Sequence, residues 1–301
     1  MPKVSARQSD WSLAAPFFLS AMFYLTAVFA LLAPLPLLLI YFKKGRVWTL
    51  AASLANAILV ALLGGPASLL IYTVSVLVLT WILGETLNRK ISVEKSAGIT
   101  FLGMIVVAAA ILVILTWGYH LDLVRQFHAQ ISDWVEKAGK PLVAESKLFN
   151  PGDFDEWKRS LWVEFLPATG VTLIVMIWAN LTWVIKSNAG GIRERLALDP
   201  KFLSQWKAPQ FLVWPTIVAG FLLIFDFGIA SDVGWVLFEL LMAVYAIQGL
   251  SILSSVFDLW NTRGLLRVIG YSVSLVLMLP LVLSLGFFDL WFDFRGKFRQ
   301  T

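Results

Sequence analysis

The chain of 301 residues has no cysteine, two histidines and few charges. Without thiols there can be no disulfide, thiolate metal site or cysteine nucleophile, and the redox compartment stays open. His120 and His128 lie eight residues apart, on similar faces of a helix but two turns from each other, so no single metal ion joins them. Neither a metal nor another cofactor is expected. Walker loops, HExxH, GxSxG and dinucleotide fingerprints are all missing, and no nucleophile stands with a base, so an enzyme is not expected. Charged residues make up 14% of the chain and hydrophobic ones 59%, with a mean hydropathy of +0.79. Such a balance lies outside soluble domains and indicates a polytopic membrane protein whose first partner is the lipid bilayer. The net charge of +5 does not argue for nucleic acid, because Lys and Arg gather at the ends of apolar runs, where membrane topology accounts for them.

What is present is a series of long apolar runs. Phe165 to Ile185 has 21 residues without a charge, bounded by Glu164 and Lys186. At 1.5 Å per residue it can cross a hydrocarbon core of about 30 Å as a helix that satisfies its own backbone. Trp11 to Phe42 is uncharged for 32 residues, too long for one straight span and too short for two. Proline removes a backbone donor, so Pro34 and Pro36 predict a helix over about 14–32, a kink and a short helical piece. Val47 to Gly84 is divided by Gly64, Gly65 and Pro66 into a tight hairpin of two spans. Ala51 and Ala55, and Ala57 and Ala61, offer close helix approach. Further spans are read over 96–119, 210–225, 234–255 and 268–288, with a turn near Ser231 and Asp232. The opening MPKVSARQSDW shows no small-residue cleavage site after a short apolar run, so the first segment is expected to be retained rather than removed as a signal peptide.

The expected fold is therefore all-α: one integral membrane domain over 1–301, a helical bundle of about eight transmembrane helices, with an extracytoplasmic insert at 119–161 between the fourth and fifth. In the insert, Leu121, Val124, Phe127, Ile131, Trp134, Val135 and Ala138 recur at helical spacing and predict an amphipathic helix. Asp153 and Glu156 resemble a capping box opening a helix that runs towards Pro167. The loops at 43–46, 85–95, 186–209 and 255–267 hold thirteen basic residues. The termini and insert hold eleven, six of them in the insert, which translocates more freely than a short loop. The first set is accordingly placed in the cytoplasm of a multi-pass inner-membrane protein, with the termini outside. If Pro34 and Pro36 instead mark a re-entrant hairpin, the N-terminus moves inside, where Lys3 and Arg7 obey the same rule.

Three polar residues inside spans are candidates for ligand binding: Asn180, Glu239 and Gln248. An ionised carboxylate at Glu239 costs roughly 2.5–3.5 kcal/mol on insertion scales, so it must be protonated, paired or turned to a polar cavity. A single bond to a neighbouring helix accounts for it equally well. Gln248 is nine residues on, almost half a circle around the helix, so two separate contacts are expected. Asn180 reads first as helix glue and second as a substrate contact. Asp226 and Asp232 flank an external turn. Asp289 and Asp293 share a face at i, i+4 in an aromatic tail and read as an interfacial anchor. Gly190 and Gly191 read as a loop feature.

The break Pro34-Leu35-Pro36 followed by the basic turn Lys44-Gly45-Arg46, the opening Leu166-Pro167 of a span with Asn180, and the tail Gly286, Asp289, Asp293-Phe294-Arg295 together resemble the YybS-like, DUF2232 family of bacterial membrane proteins. That family is similar in its membrane core to the substrate-capturing S components of energy-coupling-factor transporters and to the rod-shape protein MreD. The resemblance implies a helical bundle with a pocket open to the outer face, and transfers no binding residue. Two functions follow as expectations: small-molecule binding associated with transport, or a non-catalytic scaffold that recruits a membrane-protein partner or a second copy of itself.

Overall fold

A computed structural model describes residues 11–118, 151–199, 201–225 and 228–298, with isolated positions between 129 and 137. All regular structure among the described residues is helical, as a chain that must satisfy its backbone within lipid requires. The chain is an all-α polytopic membrane protein. Among the described residues five helical stretches are long and apolar enough to cross a membrane: Arg46–Asn88, Val93–Gly118, Val163–Ser187, Phe202–Ile224 and Ile229–Leu259.

The first of these is folded in two. It comprises α3 (Arg46–Tyr72), a wide π turn at Thr73–Val78 and α4 (Leu79–Asn88). Arg46 and Glu85 are 39 residues apart in sequence, yet the guanidinium meets the carboxylate at 2.6 Å. A straight helix would hold them about 58 Å apart. The reversal falls at Gly65, whose φ of 76° suits glycine and few others, and Pro66 opens the second leg. The hairpin read at Gly64-Gly65-Pro66 is thus observed. Its packing face is not the one expected: Ala52, Asn56 and Val60 are fully buried, one position round from the alanine pairs.

The amino-terminal run departs from the expected kink. Helix α1 (Trp11–Leu25) stops early, Ala27 takes a φ of 57°, a short 3-10 turn follows at Ala30–Leu32, and α2 (Pro34–Lys44) begins at the proline. Pro34 and Pro36 open a helix rather than bend one, because a missing N–H in the first turn has no intrahelical acceptor to lose. Ser20 Oγ donates to the Ala33 carbonyl at 2.7 Å, so α2 doubles back on α1. Phe17 meets Trp48 edge to face near the start of α3, while Tyr24 reaches the Ser68 carbonyl just beyond the Gly65 reversal. Helix α1 therefore begins at the end of the bundle where the Gly45 turn lies, and the hairpin alternative is the one observed.

Helix α5 (Val93–Val113) extends through a π turn to Gly118. Helix α6 (Pro151–Ser187) is continuous for 37 residues; Pro167 interrupts neither it nor the span, since one lost backbone bond is tolerable where neighbours pack. A turn at Asn188–Gly191 follows, in which Gly190 stands against the Phe42 carbonyl. Glu194 accepts from the Asn188 amide at 3.1 Å. Its own backbone amide, then Asn188, hold its carboxyl below the usual range. Helix α7 (Val213–Ile224) and α8 (Ile229–Leu259) form the next hairpin. Their turn centres on Gly228, at φ 61°, and Ser231 and Asp232 lie inside the first turn of α8 rather than between the helices.

The last span is also not straight. Helix α9 (Leu265–Leu277) and α10 (Leu279–Phe292) meet at 95°. Arg267 pairs with Asp258 at the start of α9, and Asp293 pairs with Lys207 after α10. Ser255 donates to the Ser204 carbonyl at 2.5 Å, joining those two places. Both ends of the bent pair thus return to one side. The described residues form six long legs, two of them from the Gly65 hairpin, between a shorter helical hairpin at each end. The described ends of the chain share the side of the Gly45 and Gly190 turns. The basic residues of the described segments outside 119–161 lie at that end. Trp48, Trp214 and Trp260 are exposed near it and Trp117 near the other, as interfacial aromatic belts require. Of the expected amphipathic helix, positions 129, 132–133 and 136–137 are helical and Lys137 pairs with Asp133. His120, His128 and Asp226 lie outside the described residues.

Candidate functional site

The three sequence candidates occupy three different places. Asn180 is fully buried on α6; its amide donates to the Leu31 carbonyl at 2.8 Å and to Met176 at 2.7 Å. It thereby fastens the turn between α1 and α2. Its Oδ1 has no hydrogen-bond partner among the described residues. Gln248 is 3% exposed. It accepts from the Ala208 N–H at 2.9 Å and donates to Asp289 at 3.1 Å. Glu239 stands elsewhere on α8, facing α6, where the Glu164 carboxyl is its acidic neighbour. Glu239 and Gln248 therefore make the separate contacts their spacing predicts, and Asn180 joins neither.

Gln248 belongs to a buried polar cluster that sequence reasoning missed. Asp289 is 1% exposed and Arg295 5%, and they face each other at 3.4 Å. Asp289 also accepts from the Phe294 N–H at 3.0 Å, and Arg295 donates to the Trp206 carbonyl at 2.9 Å. Ser251 donates to Leu203 and Trp206, whose indole N–H reaches Glu94 at 3.1 Å. The cluster ties the 201–209 loop to α8, α10 and the start of α5. Asp289 and Asp293 do not share a face, because Asp293 ends α10 in the left-handed region at φ 40°. Asn56 is a second missed residue. Its side chain accepts from the Ala21 N–H at 2.7 Å and donates to the Phe17 carbonyl, the pair that an undisturbed helix would join directly. The signal available for it was the one used for Asn180, a lone amide in a charge-free run.

Glu239 lines the largest concavity among those described, a groove of about 730 Å³ between α6 and α8, closed on its third side by α9 and α10. Its floor is low because Ala179 faces Ala243 and Ala246, and it stays open because the 95° bend swings α9 away from α8. Helix α10, by contrast, lies tight on α8, with Gly286 against the Tyr245 carbonyl and Gly249 against that of Val282. Glu239 stands near one end of the groove, while Lys186 and Ser254 stand near the basic end. On the opposite face of α6 a second, almost wholly apolar pocket of about 320 Å³ is bounded by α5, the 206–212 segment and α8. A third, polar one of about 360 Å³ opens at the basic end. Among the described residues no group of three or more His, Asp and Glu side chains is placed to hold a metal.

A model of the family described as predicted membrane protein, DUF2232, matches residues 12–290. No curated protein and no solved structure matches the chain.

Proposed function

The chain belongs to the DUF2232 family of predicted membrane proteins, and from that premise we propose that it binds an elongated, largely apolar small molecule in the groove between α6 and α8, in a role associated with transport. The observation that carries this is the groove itself. It has room for a ligand of the usual size, its walls are apolar along most of their length, and an acidic and a basic side chain stand at opposite ends. A molecule entering from the bilayer would meet Glu239 at one end and Lys186 at the other. In this reading the basic end faces the cytoplasm and the membrane is the inner one.

Thermal unfolding of the purified protein against a library of metabolites and amphiphiles tests the proposal. A ligand should raise the unfolding temperature of the natural chain and leave Ala246→Trp, which fills the groove, unmoved. No shift across the library from well-folded protein would count against binding.

A second reading, a scaffold in a membrane complex, draws on α9, where no residue is buried and Leu265, Leu266, Val276 and Leu277 stand out from the bundle. Crosslinking from Val276 in membranes would then capture a defined partner or a second copy. Labelling of lipid alone speaks for the groove reading.

A further inference from the structure

The polar pocket at the basic end adjoins the groove. Ser204 and Ser255 line the pocket, while the adjacent Leu203 and Ser254 line the groove. Arg267, on the pocket wall, donates to Tyr271 on the groove wall at 3.4 Å. Lys201, Arg263, Arg267 and Arg295 surround the pocket, and Asp258 is the one carboxylate in its lining. That carboxylate is already engaged by Arg267 at 2.8 Å. Two of the four cations are held in place by carboxylates, Arg267 by Asp258 together with Ser254 and Arg295 by Asp289 together with the Trp206 carbonyl, which leaves the charges of Lys201 and Arg263 as the excess. Basic loops that merely obey the topology rule would leave their side chains spread in water. Here they converge on a polar chamber whose neighbour is an apolar channel, beside Trp260, which is 74% exposed at the end of α8.

Resting on the groove reading, we propose that this pocket seats the phosphate group of an anionic lipid from the adjacent leaflet, with an acyl chain lying along the groove towards Glu239. Planar guanidinium donors match phosphate oxygens, the pocket carries an excess of positive charge, and the adjoining channel takes hydrocarbon. A soluble phosphate ester would use the pocket and leave the channel unfilled.

The full chain, purified in neutral detergent, is offered phosphatidylglycerol, phosphatidylcholine or glycerol 3-phosphate, and retention is read by native mass spectrometry beside thermal unfolding. Phosphatidylglycerol should bind more tightly than phosphatidylcholine. Removing the charges of Lys201 and Arg263 by Lys201→Gln and Arg263→Gln, which leaves Arg267 and Arg295 untouched, should weaken phosphatidylglycerol by about fivefold per charge. The effect should shrink as salt rises, and Ala246→Trp should release both lipids. Ala179→Trp on the facing wall replaces that variant if it fails to fold. Equal binding of the two lipids, still blocked by tryptophan, would overturn the phosphate assignment and leave the groove reading standing. Protection by glycerol 3-phosphate as strong as that by phosphatidylglycerol would overturn the lipid assignment. Lipid retention insensitive to both tryptophan variants would overturn both readings.

Discussion

Asn180 donates to the carbonyl of Leu31 across 149 residues of chain. The bond joins the last third of the long helix α6 to the turn where the amino-terminal hairpin reverses, and it defines the character of the polar residues in this bundle. Several of them hold irregular backbone in place within the membrane, where a freed carbonyl or amide has no water to meet.

The two asparagines should differ in what they contribute. Asn56 satisfies both an N–H and a carbonyl of α1, so Asn56→Leu leaves two buried backbone groups to re-pair and should cost about 1–3 kcal/mol. Asn180→Leu loses the bond to Leu31 but also removes the unpartnered Oδ1, and should cost about 1 kcal/mol or less. Thermal or denaturant unfolding in detergent ranks them, and equal losses would contradict this account.

Glycine substitutions should split by sign. Gly286→Ala and Gly249→Ala drive a methyl group into the carbonyls of Tyr245 and Val282 and should loosen α10 from α8, lowering the unfolding temperature. Gly98, within α5, has nothing within 4 Å of the added methyl. Gly98→Ala should be neutral or stabilise by up to about 1 kcal/mol through helix propensity.

Asp289 and Arg295 form the buried ion pair of the basic end. Removing either alone should destabilise by about 3–5 kcal/mol, because the partner is left charged and buried. Removing both should cost less than the sum of the two. Unfolding of the two single variants and the double variant checks this, and strict additivity would show that the pair does not act as a unit.

The part of the fold that could be read from sequence is the part governed by local chemistry. Gly64-Gly65-Pro66 announces a reversal because glycine and proline act on their own backbone, and long uncharged runs announce spans because lipid imposes length. The hairpins at the ends were hidden because their cause is tertiary. Pro34 and Pro36 look the same whether they kink a helix or begin one, and only Ser20, Asn56 and Asn180 closing on the turn decide which. Asp289 and Asp293 look like a shared face only while the helix is assumed to continue; the left-handed residue at 293 ends it. The groove was not read, although Pro280, in the first turn of α10, marks the break at Met278 from which its angle follows. Asn180, Glu239 and Gln248 stood out as polar residues within apolar runs, but the lone amide of Asn56 was passed over, and nothing local to Arg295 marks it as buried.

Because the chain has no cysteine, its threading can be tested without background. Single cysteines placed at Lys44, Lys201 and Lys297, with one at Asp232 for the opposite end, are labelled in intact cells with a maleimide that does not cross the membrane. The account predicts that Lys44→Cys, Lys201→Cys and Lys297→Cys react together only after the membrane is opened, and that Asp232→Cys reacts before. Labelling of Lys297→Cys with Asp232→Cys would show that the last helices cross, and would remove the bent pair that closes the groove.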